Sequence, residues 1–386
     1  MKVLIVHNQL WAHYKAIIFN ELQLISNQEN DFELLVLQLA KIEKSRLKFD
    51  DTSLFKHEYN YELLHDGMLE ELGLKQRIVG ILKTVRTFKP DIVNLTGYYD
   101  IASWFILLYC KLKGIKTVLS NESTGGDHHR SFLKESFKSF IIKKFDGFFN
   151  FGQLSKDYML ALGAKPAQML VNRNCVDNQL LRRIYLENHK DRDKQKAILN
   201  LPKHNFIFVG RLIEFKNLFK LLDAFKVAKG NTVDQDWGLI MLGDGDLKAA
   251  LHQYIQEETI DKVFFFEGVN WQQVPAYLAL SDVLVLPSYS EPWGLVVNEA
   301  MACGLPVAVS NKCGCANELV KESVNGFTFN PSSVNEISET LIKFMNTELD
   351  LLKMGEASQE IIQTYSPSNV AQEMFHGYKR LCHPKK

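Results

Sequence analysis

The chain has no excess charge of either sign: among its 386 residues, 45 lysines and arginines are balanced by 45 aspartates and glutamates. Without a basic surplus there is no electrostatic footprint for nucleic acid, and no nucleic-acid partner is expected. Cysteine is scarce. The six present, Cys110, Cys175, Cys303, Cys313, Cys315 and Cys382, form no C-x2-C pair, and Cys313-Gly-Cys315 is too isolated to hold a metal, so none is expected. A reducing cytoplasm is the expected compartment. No apolar run approaches the roughly 18 residues needed to span a bilayer. The apolar opening stops at Val6, before His7, Asn8 and Gln9, so it reads as a first strand rather than a targeting segment. Short-period repeats and low-complexity stretches are also absent.

What is present is alternation. Apolar runs near 2–6, 32–38, 91–95, 116–120, 146–151 and 167–172 read as strands, with helical spacing near 14–26, 74–88, 100–113, 130–144 and 154–162. The second half repeats the pattern, with strands near 205–210, 237–242, 263–267, 282–287 and 306–309. This order implies parallel α/β layers. A chain of this length favours two cores over one. The polar run within Glu187–Asn200 is the best candidate for a linker.

Two segments carry the chemistry. Glu291-Pro-Trp-Gly-Leu-Val-Val-Asn-Glu299 follows the apolar strand Asp282-Val-Leu-Val-Leu-Pro-Ser288 and opens a helix near Gly294 or Leu295. A helix starting there points unpaired N–H groups and a partial positive charge at its ligand, a setting suited to a diphosphate. Glu299, about one and a half turns further on, can reach a different part of that ligand from Glu291. The second segment, Asn205-Phe-Ile-Phe-Val-Gly210 followed by Arg211-Leu-Ile-Glu-Phe-Lys216-Asn217, puts two cations at another strand exit. Arg211 offers a planar fork to phosphate oxygens and Lys216 a mobile point charge. Taken singly, each segment is also what a solvated loop carries; their pairing favours one pocket.

Gly210-Arg211 and Lys216-Asn217 with a downstream Glu-x7-Glu resemble the retaining GT-B glycosyltransferases of glycosyltransferase family 4, the glycosyl transferases group 1. Met241-Leu-Gly-Asp-Gly-Asp246, Phe266-Glu-Gly-Val269, Ala302-Cys-Gly-Leu-Pro-Val307 and Asn325-Gly-Phe327 stand in that family's order. The likeness is strong over about 203–345 and only in outline over the first 180. It implies two Rossmann-like doubly wound parallel-sheet domains facing a central cleft. Their expected bounds are 1–186 for the acceptor, 187–203 for the linker, 204–366 for the nucleotide sugar, and 367–386 for a helix crossing back to the first domain.

The resemblance also implies the activity: transfer of a sugar from a nucleotide diphosphate (UDP-, GDP- or ADP-linked) to an acceptor hydroxyl, with retention and without metal or cofactor. The acceptor would be a glycan, a lipid-linked sugar or a small molecule. Arg211 and Lys216 would hold the diphosphate, Glu291 would sit by the donor sugar and Glu299 would bind the ribose. Gly210, Gly243, Val269, Gly294, Leu295 and Val296 would supply backbone to the donor. Family members often bring a histidine from the first domain to the sugar, a place for His128 or His129. A catalytically silent nucleotide-sugar-binding protein is the alternative reading. A dehydrogenase is disfavoured because Gly243-Asp-Gly245 lacks a third glycine in place.

In the first half, three loops at expected strand ends carry reactive groups: His7 to Lys15, Thr96 to Asp100, and Asn121 to Arg130 with Glu122, His128 and His129. The first departs from the family's glycine-rich loop. Arg130 to Lys144 has an apolar stripe beside Lys134, Lys138, Lys143 and Lys144, which suggests peripheral membrane contact, against the ordinary reading of a face packed on the sheet.

Overall fold

The computed structural model describes residues 1–45, 55–124, 132–232, 236–346 and 348–382, the side chains of 132–134 apart. Two compact units divide the chain, one formed by Met1–Cys175 with Ser366–Lys386 and the other by Val176–Tyr365.

The first unit is built on β1 (Lys2–Gln9), β2 (Glu33–Ala40), β3 (Tyr61–Leu63), β4 (Ile92–Thr96), β5 (Lys116–Asn121), β6 (Gly147–Asn150) and β7 (Met169–Asn172). Between them run α1 (His13–Gln28), α2 (Leu74–Phe88), α3 (Ile101–Lys113), α4 (Phe132–Ile142) and α5 (Gln153–Ala161). The sheet order is β3-β2-β1-β4-β5-β6-β7, with every pairing parallel. Central strands such as Ile92–Thr96 are buried on both faces, which explains why they read as unbroken apolar runs instead of alternating ones. α3 starts where the Asp100 carboxylate accepts from the Ala102 amide at 3.0 Å and ends at Gly114 in the left-handed region.

The second unit repeats the plan with β8 (His204–Val209), β9 (Trp237–Leu242), β10 (Val263–Phe266), β11 (Val283–Leu286), β12 (Val307–Ser310) and β13 (Gly326–Phe329). Its helices are α6 (Asn178–His189), α7 (Arg192–Ile198), α8 (Leu218–Gly230), α9 (Lys248–Glu257), α10 (Val274–Ala279), α11 (Leu295–Cys303), α12 (Ala316–Leu319), α13 (Val334–Met345) and α14 (Leu351–Ile362). Its sheet, ordered β10-β9-β8-β11-β12-β13, is again all parallel. In both units the chain lays strands outward from the first one, then jumps across it to continue on the other side. The resulting switch points lie between β1 and β4 and between β8 and β11, and in open α/β sheets ligands bind beside such points, at the carboxyl ends of the strands.

The segment 187–203, expected as a linker, belongs to the second unit, as the end of α6 and all of α7. Its polarity is that of the end of α6, an amphipathic helix whose inner face buries Leu181 and Tyr185, and of α7, whose charges converge on Asp282. Arg192 donates to Asp282 at 2.6 Å, the Asn205 amide donates at 2.8 Å, and Lys196 lies 3.6 Å away. Burial opposes the Asp282 charge, but His204, Arg192, Lys196 and the Asn205 amide outweigh it and hold the carboxyl down at about 2. The final helix, α15 (Pro367–Cys382), belongs to the first unit and packs on α1 and β7. Its Val370, Ala371, Met374, Phe375 and Tyr378 join the core of Val3, Ile5 and Leu22, and the buried Asn94 amide of β4 donates to the Tyr378 hydroxyl at 2.8 Å.

Candidate active site

The loops after β8 and β11 flank the second unit's switch point, and a few backbone bonds bring them together. Asn217 adopts the left-handed conformation and ends the short turn Glu214–Lys216. Its side-chain amide donates to the carbonyls of Pro287 and Pro331 at 3.1 and 2.7 Å, so the start of α8 is pinned to the end of β11. The Tyr289 amide donates to the Phe215 carbonyl at 2.9 Å, fastening the two loops side by side. Lys216 and Glu291, 75 residues apart in sequence, thereby meet, and the Lys216 ammonium donates to a Glu291 carboxylate oxygen. Arg211 projects into solvent on the same loop, and its guanidinium makes neither hydrogen bond nor ion pair among the described residues.

The segment that starts α11 is held just as firmly. Trp293 is buried and its indole N–H donates to Asn298 Oδ1 at 2.8 Å, while the Gly314 and Cys315 amides donate to the carbonyls of Glu291 and Trp293. Gly294 sits at φ +99°, where a side chain would be strained, and turns the chain into the helix. The amides of Leu295 and Val296 find no acceptor among the described residues, as expected for a helix N-terminus open to a ligand.

Glu299, further along α11, is partly buried, and its carboxyl has no hydrogen-bond partner among the described residues. Burial pushes its pKa up to about 7. The loops after β8 and β9 approach so closely that a Cβ on Gly243, which has φ +155°, would lie 1.9 Å from the Gly210 carbonyl oxygen. Val269 follows β10 in a loop tied to the same group, since Asp244 accepts from the Gly268 amide at 3.0 Å. The other Asp244 oxygen pairs with Lys248 at 3.2 Å, making this aspartate a bracket between loops. No cluster of His, Cys, Asp and Glu suited to a metal ion occurs among the described residues.

Of the residues singled out in the sequence, Gly210, Lys216, Gly243, Glu291, Gly294, Leu295, Val296 and Glu299 belong to the loops and helix just described, with Val269 one loop further out. His128 and His129 lie outside the described residues. Sequence reasoning did not assign the bracing roles of Asn217, Trp293 and Gly314. At Gly314 only glycine fits, since a Cβ would fall 1.9 Å from the Pro292 carbonyl oxygen.

At the carboxyl edge of the first unit's sheet, Lys15 is buried, donates to Asn174 Oδ1 at 3.2 Å and lies 3.7 Å from Glu122. Burial lowers its pKa, opposed by Glu122. His7 beside it bonds Gln38 through Nδ1 at 3.0 Å, and burial lowers its pKa to about 4. The cavity that His7 and Lys15 line holds about 30 Å³, roughly room for a water and too little for a sugar.

Two Rossmann-like parallel sheets with a loaded switch point in the second define a GT-B fold. Residues 189–361 match the family model described as "Glycosyl transferases group 1". An uncharacterized glycosyltransferase of Methanocaldococcus jannaschii is 26% identical over 173 residues, covering 45% of this chain and 47% of that protein. The UDP-Gal:alpha-D-GlcNAc-diphosphoundecaprenol alpha-1,3-galactosyltransferase of Escherichia coli is 34% identical over 155 residues, 39% of each chain. The chain thus spans less than half the length of these curated relatives. Over nearly its whole length it superposes on Anabaena HepE in complex with UDP, with TM-score 0.76, 19% identity, and coverage of 98% of this chain and 100% of the other.

Proposed function

We propose that this protein is a glycosyltransferase that moves a sugar from a nucleotide diphosphate donor to an acceptor hydroxyl. The observation that carries the proposal is the meeting of Lys216 and Glu291 beside the open amides of α11 at the β8/β11 switch point. Cleavage of the anomeric bond leaves negative charge on the departing phosphate. Arg211, Lys216 on its release from Glu291, and the open amides of Leu295 and Val296 receive it, a role that needs no metal. Positive charge builds on the sugar, and Glu291 supplies the matching carboxylate. Glu299 accepts from the ribose hydroxyls, and the backbone near Val269 receives the base. We favour retention, with the acceptor attacking on the face that the phosphate leaves and the phosphate taking the proton. The six unpaired cysteines support a reducing compartment.

Because the HepE complex contains UDP and the E. coli relative is named for UDP-Gal, UDP-sugars head the donor panel. In a thermal-shift screen of UDP-, GDP-, ADP- and dTDP-sugars, one nucleotide series should raise the melting temperature, since saturation at 100 Kd adds about 2.7 kcal/mol. Slow donor hydrolysis should follow in the same series. The absence of a shift with every donor would overturn the assignment, and binding without turnover across an acceptor panel would indicate a silent sugar-nucleotide receptor.

The Glu299 pKa gives the proposal a pH signature. A pair of ribose hydroxyls donating to both carboxyl oxygens favours the carboxylate over the acid, so binding favours loss of the proton that Glu299 holds below about pH 7. Affinity for an intact nucleotide sugar, whose diphosphate does not titrate in this range, should rise about fivefold from pH 6 to pH 7, reach about tenfold by pH 8 and level off above it. Calorimetry on Glu299→Gln should give weaker binding and a flat profile. An unchanged pH slope in that variant would remove Glu299 from the ribose site.

A further inference from the structure

We propose that the outer face of α3, extended by α4, is a docking surface for an anionic lipid bilayer. Ile101, Phe105, Leu108 and Leu112 are 44% to 77% exposed. At about 100° per residue they fall within one 60° sector of α3 and form a continuous apolar stripe facing water. The opposite face, with Ala102, Ile106, Leu107 and Cys110, is buried in the unit's core. Trp104 borders the stripe and meets the Phe137 ring edge-on at 4.9 Å, so the exposed Phe137 and Phe140 of α4 prolong the patch. An apolar surface of this size on a folded unit marks an interaction site.

Charge selects the occupant. The chain carries no aspartate or glutamate from Ile101 to Asn121 but has Lys113 there together with Lys111 and Lys116, which share the single carboxylate of Asp146, and α4 is followed by Lys143 and Lys144, the latter over the Phe140 ring. The nearby acids are already paired: Asp100 with Arg77, Glu135 with Lys138, and Asp146 with Lys111. Apolar side chains rimmed by cations suit phospholipid headgroups and the acyl boundary beneath them. A second copy meeting this face across a twofold axis would set lysines against lysines.

The surface shares Phe137, Phe140, Lys143 and Lys144 with the segment expected over Arg130 to Lys144 but is centred on α3. There Lys138 turns inward to Glu135 and the Tyr158 hydroxyl, and the buried Ile142 belongs to the core. No helix among the described residues is long and apolar enough to cross a membrane, so this contact would lie on the bilayer surface.

Flotation of the full chain with phosphatidylcholine vesicles, with and without phosphatidylglycerol, tests the proposal independently of sugar transfer. The protein should float with the anionic vesicles only, and Leu108→Ser/Leu112→Ser should lower bound protein about tenfold with an unchanged melting temperature. High salt should also release it. Failure of the wild type to float with anionic vesicles, or equal flotation of the double variant, would overturn it. So would a concentration-dependent dimer in sedimentation that the variant dissolves, which would make the occupant a second copy.

Discussion

Lys216→Ala is expected to lower turnover about 10² to 10³-fold, the loss typical when one preorganised donor to developing negative charge is removed. The chain should stay folded. Glu291, its partner, keeps part of its side chain in solvent and loses one ion pair, which costs about 1–3 kcal/mol. At about 2–4 °C per kcal/mol for a unit of this size, the melting temperature should fall by about 2–12 °C. The Lys216–Glu291 pair adds a sharper test. In the free protein the ammonium is engaged by Glu291, so a phosphate oxygen has to compete for it. Glu291→Gln removes the competitor and should tighten binding of the free nucleoside diphosphate while slowing transfer. Opposite effects on binding and turnover are not what a merely structural ion pair would give. Near-normal kcat in Lys216→Ala would exclude the leaving-group role.

The parts legible in sequence were those with local causes. Strands buried on both faces, such as Val283–Leu286 and Val307–Ser310, announce themselves as branched apolar runs, and the helix after Gly294 follows from its glycine and the apolar spacing behind it. Two strands escaped notice for a physical reason. β3 is three residues at a sheet edge, mostly exposed, and β13 is Gly-Phe-Thr-Phe, too short and mixed to register. The charged stretch after Glu187 looked like a hinge because its partners are distant: Arg192 and Lys196 are neutralised by Asp282, some 90 positions later. Lys216 and Glu291 could be named from their motifs, but their contact depends on Tyr289, Phe215 and Asn217, none of which is reactive. The exposed stripe on α3 was likewise hidden, since apolar residues all round a helix next to a sheet normally signal full burial.

The second large effect concerns backbone rather than charge. Gly243→Ala would place a methyl carbon 1.9 Å from the Gly210 carbonyl oxygen, an atom on the main chain that cannot swing aside, at a φ of +155° that side chains avoid. Strain and overpacking each contribute about 1–3 kcal/mol, so a loss near 4 kcal/mol is expected, or a melting temperature lower by roughly 8–16 °C. Gly210→Ala is the informative contrast. Its φ is +154°, nearly the same, but its Cβ would meet only the end of the buried Phe208 ring at 3.2 Å, where a few tenths of an ångström of give suffices, and Lys216 Cε at 3.7 Å, an ordinary contact. That variant should lose about 1–2 kcal/mol, chiefly from backbone strain, and leave Lys216 in place. Gly243→Ala should weaken donor binding as well, because relieving its clash separates the loops after β8 and β9 and moves Arg211 and Lys216 away from α11. Differential scanning calorimetry with nucleotide titration compares the two directly. Equal stability losses would mean that the close approach of Gly243 to Gly210 does not hold the site's shape.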